Sequence, residues 1–165
     1  MKPSRLLLIW LVILLTCGIA LGTLRALEIA TPSNLTAINW GLLLALSALA
    51  ILDAVRLKRL PSPRLKRQLP ATLALGRWSD VQLTIAHDFA QPLNIQIFDH
   101  VPPGLSFENL PLIAQLQPDH HSSVGYRLRP LKRGHFGFEQ CEINLPSPLG
   151  LWSDKRLLNV PDHTR

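Results

Sequence analysis

Two long apolar runs constrain this chain more than any other feature of its sequence. Residues 6–24 (LLLIWLVILLTCGIALGTL) and 35–52 (LTAINWGLLLALSALAIL) contain no charged side chain. At about 1.5 Å of rise per residue, helices of these lengths reach roughly 27–29 Å, close to the ~30 Å hydrocarbon core of a bilayer. The connecting segment contains Pro32, which interrupts a helix. The pattern predicts a transmembrane hairpin in residues 1–55.

The positive charge is concentrated directly after the second run. Residues 1–55 carry three bases and two acids (+1), and residues 68–165 carry eight bases and nine acids (−1), so the net +6 comes from residues 56–67. The six bases of that stretch are Arg56, Lys58, Arg59, Arg64, Lys66 and Arg67. Bases beside a span mark its cytoplasmic side. We therefore predict a basic linker over 56–69 that contacts lipid head groups, with both termini in the cytoplasm of a bacterium and the hairpin in its inner membrane.

Two other interpretations of these regions are weaker. The start of the first run resembles a secretory signal, with bases before it and Gly18–Ala20 as small residues, and Leu14–Cys17 resembles a lipoprotein cleavage box. The run continues past both sites, so we expect an uncleaved span. The basic stretch contains no aromatic residue, and the region after it is slightly acidic, which argues against nucleic-acid binding.

Small residues one helical turn apart occur in both runs. They are Gly18 and Gly22 in the first run, and Gly41 and Ala45 in the second. Such pairs allow helix backbones to approach closely, and we expect the two spans to pack on each other; a dimerisation face is the alternative. Asp53 lies three residues before Arg56, which predicts a pair on one helix face, and we interpret Asp53 as a helix end at the inner side of the span.

Alternation of period two replaces these patterns after the Pro-rich joint. The clearest strand patterns are Val81–Ile85, Leu93–Ile97, Val124–Leu128 and 136–145, the last with a bulge near Glu139-Gln140. Weaker strands are expected at 70–76, 111–117 and 155–160. About seven short strands without a helix predict an antiparallel, immunoglobulin-like β-sandwich over 70–165.

The β region shows no pattern that predicts catalysis. The only clustered histidines stand in Asp119-His120-His121, which we interpret as a polar loop, because adjacent residues on a strand point to opposite faces. Cys17 and Cys141 are too far apart in the predicted organisation to form a disulfide, and Cys141 is expected in the core. We predict a protein that is not an enzyme and takes no cofactor, metal or small-molecule substrate.

Several motifs of the β region together carry a family resemblance. They are Val101–Leu105 (VPPGL), Tyr126, Pro130, Arg133-Gly134 with Phe136, and Ser147–Trp152 (SPLGLW). With the two-span anchor and the basic stretch, this order resembles the domain of unknown function 58 family, bacterial membrane proteins associated with MoxR-type AAA+ ATPases. The chain is similar to the front portion of such proteins and lacks the von Willebrand A-like domain with its Asp-x-Ser-x-Ser metal motif.

The resemblance implies a candidate interaction surface. Its residues are Arg133, Gly134, Leu149, Gly150, Leu151 and Trp152. Gly134 is expected in a positive-φ turn, and Arg133 in an ion pair within the domain or with a partner. Leu149, Leu151 and Trp152 are expected either to cover an edge or meet a neighbouring domain, or to close the core of their own domain.

The leading functional hypothesis is a membrane-anchored scaffold whose cytoplasmic β-domain binds a MoxR-type AAA+ ATPase. One alternative is a truncated fragment of a larger family member, without activity of its own. Another is a lipid-sensing or transport-accessory module, for which Asp53 and the basic stretch are the support.

Overall fold

Both apolar runs form helices in the computed structural model, which describes residues 1–29, 32–118 and 121–165. Helix α1 covers Arg5–Ala26 and helix α2 covers Ser33–Arg59. Ser4 caps α1, because its side chain accepts a hydrogen bond from the Leu7 backbone N–H at 3.2 Å. Both helices are long and apolar enough to cross a membrane, and nearly all of their large apolar side chains are exposed.

The two helices contact each other along one stripe each. The less exposed positions recur at spacings of three, four or seven residues, which keeps them on one face of each helix. They include Leu7, Leu14, Gly18 and Leu21 in α1, and Thr36, Asn39, Leu43, Leu46, Ala50 and Asp53 in α2. At Gly18 a Cβ atom would lie 2.9 Å from the Asn39 amide nitrogen, so a larger residue there would displace the end of the Asn39 side chain. A Cβ at Gly22 or Gly41 would meet nothing within 4 Å, and Ala45 is exposed. Of the four predicted packing residues, therefore, only Gly18 lies in the intrachain contact.

The remainder of the chain is an antiparallel β-domain with two sheets, as predicted. A two-residue strand, β1 (Lys2–Pro3), precedes the helices. The others are β2 (Arg64–Gln68), β3 (Ser79–Ala86), β4 (Leu93–Asp99), β5 (Leu105–Glu108), β6 (Leu112–Leu116), β7 (Ser122–Pro130), β8 (Phe136–Pro146) and β9 (Trp152–Thr164). One sheet has the order β9-β8-β4-β6 and the other β2-β3-β7-β5.

Alternate residues of both sheets form the core of this domain. Fully buried side chains include Val81, Leu83 and Ile85 of β3, Ile95 and Ile97 of β4, and Tyr126 and Leu128 of β7. In β8, Phe136 and Phe138 are buried in one phase and Cys141, Ile143 and Leu145 in the other, with two consecutive exposed residues at 139–140. This phase change confirms the predicted irregularity, since it lets both halves of β8 face the core.

Two boundaries differ from the prediction. Helix α2 continues to Arg59 and β2 starts at Arg64, so the linker predicted over 56–69 shrinks to residues 60–63. The strand predicted over 70–76 is wrong, because this segment is irregular and the strand lies at 64–68 instead. In β2 the inward position is occupied by Arg67. Because Arg67 belongs to a run of charged residues, the alternation of this strand was not visible in the sequence.

The described chain divides into two compact units. The first contains Met1–Arg59 together with Ser147–Ser153, and the second contains Leu60–Pro146 and Asp154–Arg165. The short connection between β8 and β9 thus belongs with the helices.

Candidate functional site

The connection between β8 and β9 forms a tight turn that follows from its sequence. We call residues 147–152 the clasp loop. The Gly150 N–H donates to the Ser147 carbonyl at 2.9 Å, with Pro148 at the second position of the turn, where its fixed φ is favourable. Gly150 has φ +71°, a left-handed conformation that favours glycine. A hydrogen bond of 2.8 Å from the Ser147 N–H to the Trp152 carbonyl closes the loop.

This loop encloses the carboxylate of Asp53, on helix α2. Asp53 Oδ2 accepts from the Ser147 hydroxyl at 2.5 Å and from the Leu151 N–H at 3.2 Å, and Oδ1 accepts from the Leu149 N–H at 3.0 Å. Asp53 is fully buried. The Ser147 hydroxyl also accepts from the Trp152 N–H at 2.8 Å, which fixes its orientation. We call Asp53 and the clasp loop together the Asp53 clasp.

The predicted role of Asp53 is therefore wrong in two respects. The residue lies within α2, which continues to Arg59, and not at the helix end. No ion pair joins Asp53 to Arg56 in the part of the chain that the structure describes. The carboxylate is held by a hydroxyl and two backbone N–H groups instead.

Apolar contacts reinforce the Asp53 clasp. Leu151 is 7% exposed and packs with Leu7 of α1 and Ala50 of α2, while Leu46 and Trp152 border this small cluster. The Trp152 indole N–H donates to the Ala50 carbonyl at 2.8 Å. The loop is thus attached to α2 by both polar and apolar contacts.

The N-terminal residues complete the arrangement. Strand β1 pairs with the start of β9, with Lys2 opposite Ser153 and Pro3 opposite Trp152. The Ser4 N–H donates to the Leu151 carbonyl at 2.8 Å. The start of α1 and the last turns of α2 therefore meet the same loop, as expected for an antiparallel helix pair.

The structure divides the predicted interaction surface. Leu151 and Trp152 contact the helix pair, a location that neither sequence-based alternative named, whereas Leu149 is 48% exposed. Arg133 and Gly134 lie exposed in the turn between β7 and β8. The positive φ expected at Gly134 is wrong, because the positive-φ glycines are Gly76, Gly104 and Gly150.

The six predicted lipid-contact bases are also divided. Arg56, Lys58 and Arg59 are exposed in the last turn of α2, where cations interact favourably with the helix dipole. Arg64 and Lys66 are exposed on β2, but Arg67 is only 6% exposed, so a lipid contact for Arg67 is wrong. Asp119 and His120 of the predicted polar loop lie outside the described residues, and His121 is exposed.

Arg67 belongs to a buried polar network in the β-domain. Its guanidinium makes a bidentate pair with Asp99, with Nε–Oδ2 at 2.9 Å and Nη2–Oδ1 at 2.6 Å, and both side chains have no exposed surface. Nη1 donates to the Val160 carbonyl at 2.6 Å, and the Tyr126 hydroxyl donates to Asp99 Oδ2 at 2.6 Å. The guanidinium also lies 4.8 Å from the centre of the Phe138 ring.

This network changes the protonation behaviour of its members. Burial raises the pKa of the Tyr126 hydroxyl, and the charge and hydrogen bond of Asp99 raise it further. Burial, followed by the charge of Asp99, raises the pKa of the Cys141 thiol to about 12. Burial lowers the pKa of Arg67, but the hydrogen bonds and charge of Asp99 outweigh this effect and the pKa is raised overall. Tyr126 and Cys141 therefore remain protonated, and Arg67 charged, at neutral pH.

Neither carboxylate site was recognised from the sequence. The three donors to Asp53 are 94 to 98 residues away along the chain, and Asp99 is 32 residues from Arg67. One local signal was available at Asp53, which is an acid between an uncharged run and six bases. An isolated acid at that position is unusual enough to suggest a specific partner.

Comparisons with known proteins give little further information. No protein-family model and no curated protein matches the chain. Among solved structures, the crystal structure of a FixG-related protein from Vibrio parahaemolyticus is similar, with a TM-score of 0.38 and 10% sequence identity. The match covers 62% of this chain and 93% of that chain. A similarity at this level carries no inference about function.

Proposed function

We propose that this chain is a membrane-anchored, non-catalytic scaffold whose β-domain binds a protein partner in the bacterial cytoplasm. Helices α1 and α2 cross the inner membrane, and both termini are cytoplasmic. The observation that carries the proposal is the Asp53 clasp, through which the anchor holds a loop of the chain almost a hundred positions downstream.

The anchor supports this proposal through its composition. Both helices expose large apolar side chains on nearly every outward position, which is favourable in lipid and unfavourable in water. Exposed bases follow at the end of α2, as expected on the cytoplasmic side.

The clasp supports a positioning role for the anchor. A carboxylate buried with three donors is retained only if the surrounding structure fixes those donors, because a lost partner leaves a buried charge unsatisfied. A tether that only prevented diffusion would not need such a contact. We infer that the clasp fixes the clasp loop at the anchor so that a partner meets a defined surface.

The partner class follows from the sequence resemblance. The VPPGL and SPLGLW motifs and the order of the anchor and β region are similar to the domain of unknown function 58 family, and we propose a MoxR-type AAA+ ATPase as the partner.

Membrane topology is tested by cysteine labelling in a Cys17→Ser background. An Ile29→Cys variant, between the helices, is expected to react with a membrane-impermeant maleimide in spheroplasts, and an Asp88→Cys variant only after lysis. Native Cys141 is buried, with a raised pKa, and stays unlabelled. Labelling of Asp88→Cys in intact spheroplasts would contradict a cytoplasmic β-domain.

Partner binding is tested by co-purification of the tagged full chain from membranes with a co-expressed MoxR-type ATPase. We expect the ATPase to be retained by the unsubstituted chain and reduced by about fivefold or more in Asp53→Ala, through loss of the clasp. Asp88→Asn, at an exposed position, is the matched control and should retain the ATPase fully. Absence of the ATPase from the unsubstituted chain would overturn the choice of partner.

A further inference from the structure

A groove lies beside the turn between β7 and β8, in the β-domain. Its volume is about 460 Å³. The residues that line it are Leu73, Leu75, Pro130, Lys132, Arg133, Gly134, His135, Phe136 and Arg165. It contains two of the residues predicted as an interaction surface, Arg133 and Gly134, but neither buried carboxylate site.

The charged side chains that line this groove are all cationic. Lys132, Arg133 and Arg165 contribute three cationic side chains. No Asp or Glu occurs among the described residues that line it. The β region as a whole is slightly acidic, at −1 over residues 68–165, so the groove is a local exception within its own domain.

Apolar residues also line the groove. Leu75 is 50% exposed there, and Leu73, Pro130 and Phe136 contribute further apolar surface. An exposed leucine next to cations suits a ligand that has both carboxylates and an apolar side chain.

Backbone hydrogen bonds hold the walls in place. The Gly76 N–H donates to the Pro130 carbonyl at 3.0 Å, and the Leu73 N–H donates to the Arg165 carbonyl at 2.8 Å. The Lys132 methylenes lie directly over Gly104, where a Cβ atom would overlap them. A fixed groove loses less entropy on binding than a flexible one.

We propose that this groove binds an acidic peptide segment of the protein partner, with at least one leucine-like side chain on the Leu75 side and carboxylates on Lys132 and Arg133. The argument is charge complementarity together with the exposed side chain of Leu75. The inference rests on the proposed scaffold function, since it assigns a partner surface to the β-domain.

Binding is tested with the full chain in phosphatidylcholine nanodiscs and a fluorescent peptide of Glu-Glu-Leu repeats. We expect saturable binding that weakens with added salt, because screening reduces the attraction between exposed charges. A Lys-Lys-Leu peptide should not bind, and a Glu-Glu-Ser peptide should bind about fivefold more weakly, since it lacks the apolar side chain.

Substitutions then assign the site. Lys132→Gln with Arg133→Gln is expected to weaken binding about tenfold, and Leu75→Ser about fivefold. These side chains are exposed, so the fold should tolerate the changes. Lys66→Gln, an exposed base of the same domain outside the groove, is the matched control and should leave the affinity unchanged.

Three outcomes would overturn the inference. They are no binding of the Glu-Glu-Leu peptide, an equal effect of the groove and control substitutions, and displacement of the peptide by the soluble lipid head group glycerophosphoglycerol, which would show that a lipid head group occupies the groove. A chain that retains the ATPase but fails these tests keeps the scaffold function and loses only this inference. A chain that binds the peptide through the groove without retaining the ATPase keeps this inference and loses the proposed ATPase partner.

Discussion

The two buried carboxylates, Asp53 in the helical unit and Asp99 in the β-domain, are both fully inaccessible but are stabilised in different ways. Asp99 faces the charged guanidinium of Arg67 in a bidentate pair and also accepts from Tyr126. The donors to Asp53 are the hydroxyl of Ser147 and the backbone N–H groups of Leu149 and Leu151. The Asp99 carboxylate is stabilised by an opposite charge, and the Asp53 carboxylate by the dipoles of a hydroxyl and two N–H groups.

This difference has consequences for how each site opens. The Asp99 partners lie on strands within a packed core, so separating them requires disruption of the sheets. The Asp53 donors all lie in a single short loop, so one local movement releases them together. We therefore expect the Asp99 network to determine the stability of the β-domain, and the Asp53 clasp to open locally before global unfolding.

The largest expected effect is at the Asp99 network. Arg67→Met leaves the Asp99 carboxylate buried without its cationic partner, which costs about 3–5 kcal/mol. Thermal unfolding of the full chain in detergent, followed by near-UV circular dichroism, measures the loss. Lys66→Gln, one residue away and exposed, is the control with little effect. A destabilisation no larger than that of the control would show that the ion pair is unimportant to the β-domain.

The second effect is local to the clasp. Asp53→Ala removes three hydrogen bonds to a charged acceptor, and we expect it to ease opening of the clasp loop by about 2 kcal/mol, or about thirtyfold in population. Chymotrypsin cleavage between Leu149 and Trp152, located by mass spectrometry, should accelerate accordingly, while the thermal midpoint of the β-domain changes little. Asp88→Asn is the control. An unchanged cleavage rate would contradict the clasp.

A third prediction concerns pH and belongs to the Asp99 side. The pKa of Cys141 is raised to about 12 in the native protein, so the unfolded chain loses the thiol proton at lower pH than the native chain. Stability should therefore fall as pH rises above about 9, by about 1–2 kcal/mol at pH 10. Urea unfolding at pH 8 and pH 10 gives the loss of stability for the unsubstituted chain and for Cys141→Ala, and the difference between the two losses isolates this contribution. An equal loss in the two chains would refute the prediction.

The smallest effect separates two glycines of the predicted interaction surface. Gly150→Ala places a side chain at φ +71° and should ease opening of the clasp loop by about 1 kcal/mol. Gly134→Ala serves as the control, because its φ is not positive and a Cβ there meets nothing within 4 Å. Chymotrypsin should cleave the clasp loop faster in Gly150→Ala than in Gly134→Ala. Similar cleavage rates for the two variants would show that the φ of Gly150 does not strain the loop.

The elements that the sequence predicted well are those with a regular apolar pattern. The two uncharged runs form α1 and α2, and the four clearest alternations form β3, β4, β7 and β8, including the phase change in β8. The prediction failed where charged residues occupy a helix or an inward strand position that an apolar pattern would otherwise mark. The bases at 56–59 continue a helix, because Lys and Arg are good helix formers, and Arg67 takes an inward strand position that its charge concealed.

The candidate site also combines a local feature that the sequence predicted with a distant contact that it did not. SPLGLW was recognised as a distinctive segment, and its Pro and Gly positions are those of a turn. Its partner was not recognised, since nothing near Ser147 in the sequence refers to a carboxylate at position 53.

The sequence by itself determined the two apolar helices and the alternating strands, because the burial of apolar surface imposes a periodicity that is local along the chain. Only the tertiary structure decided that Asp53 faces Ser147, 94 residues away, and that Arg67 faces Asp99, 32 residues away. A buried polar group requires a partner but leaves its identity open, since any donor that the fold brings within about 3 Å will satisfy it.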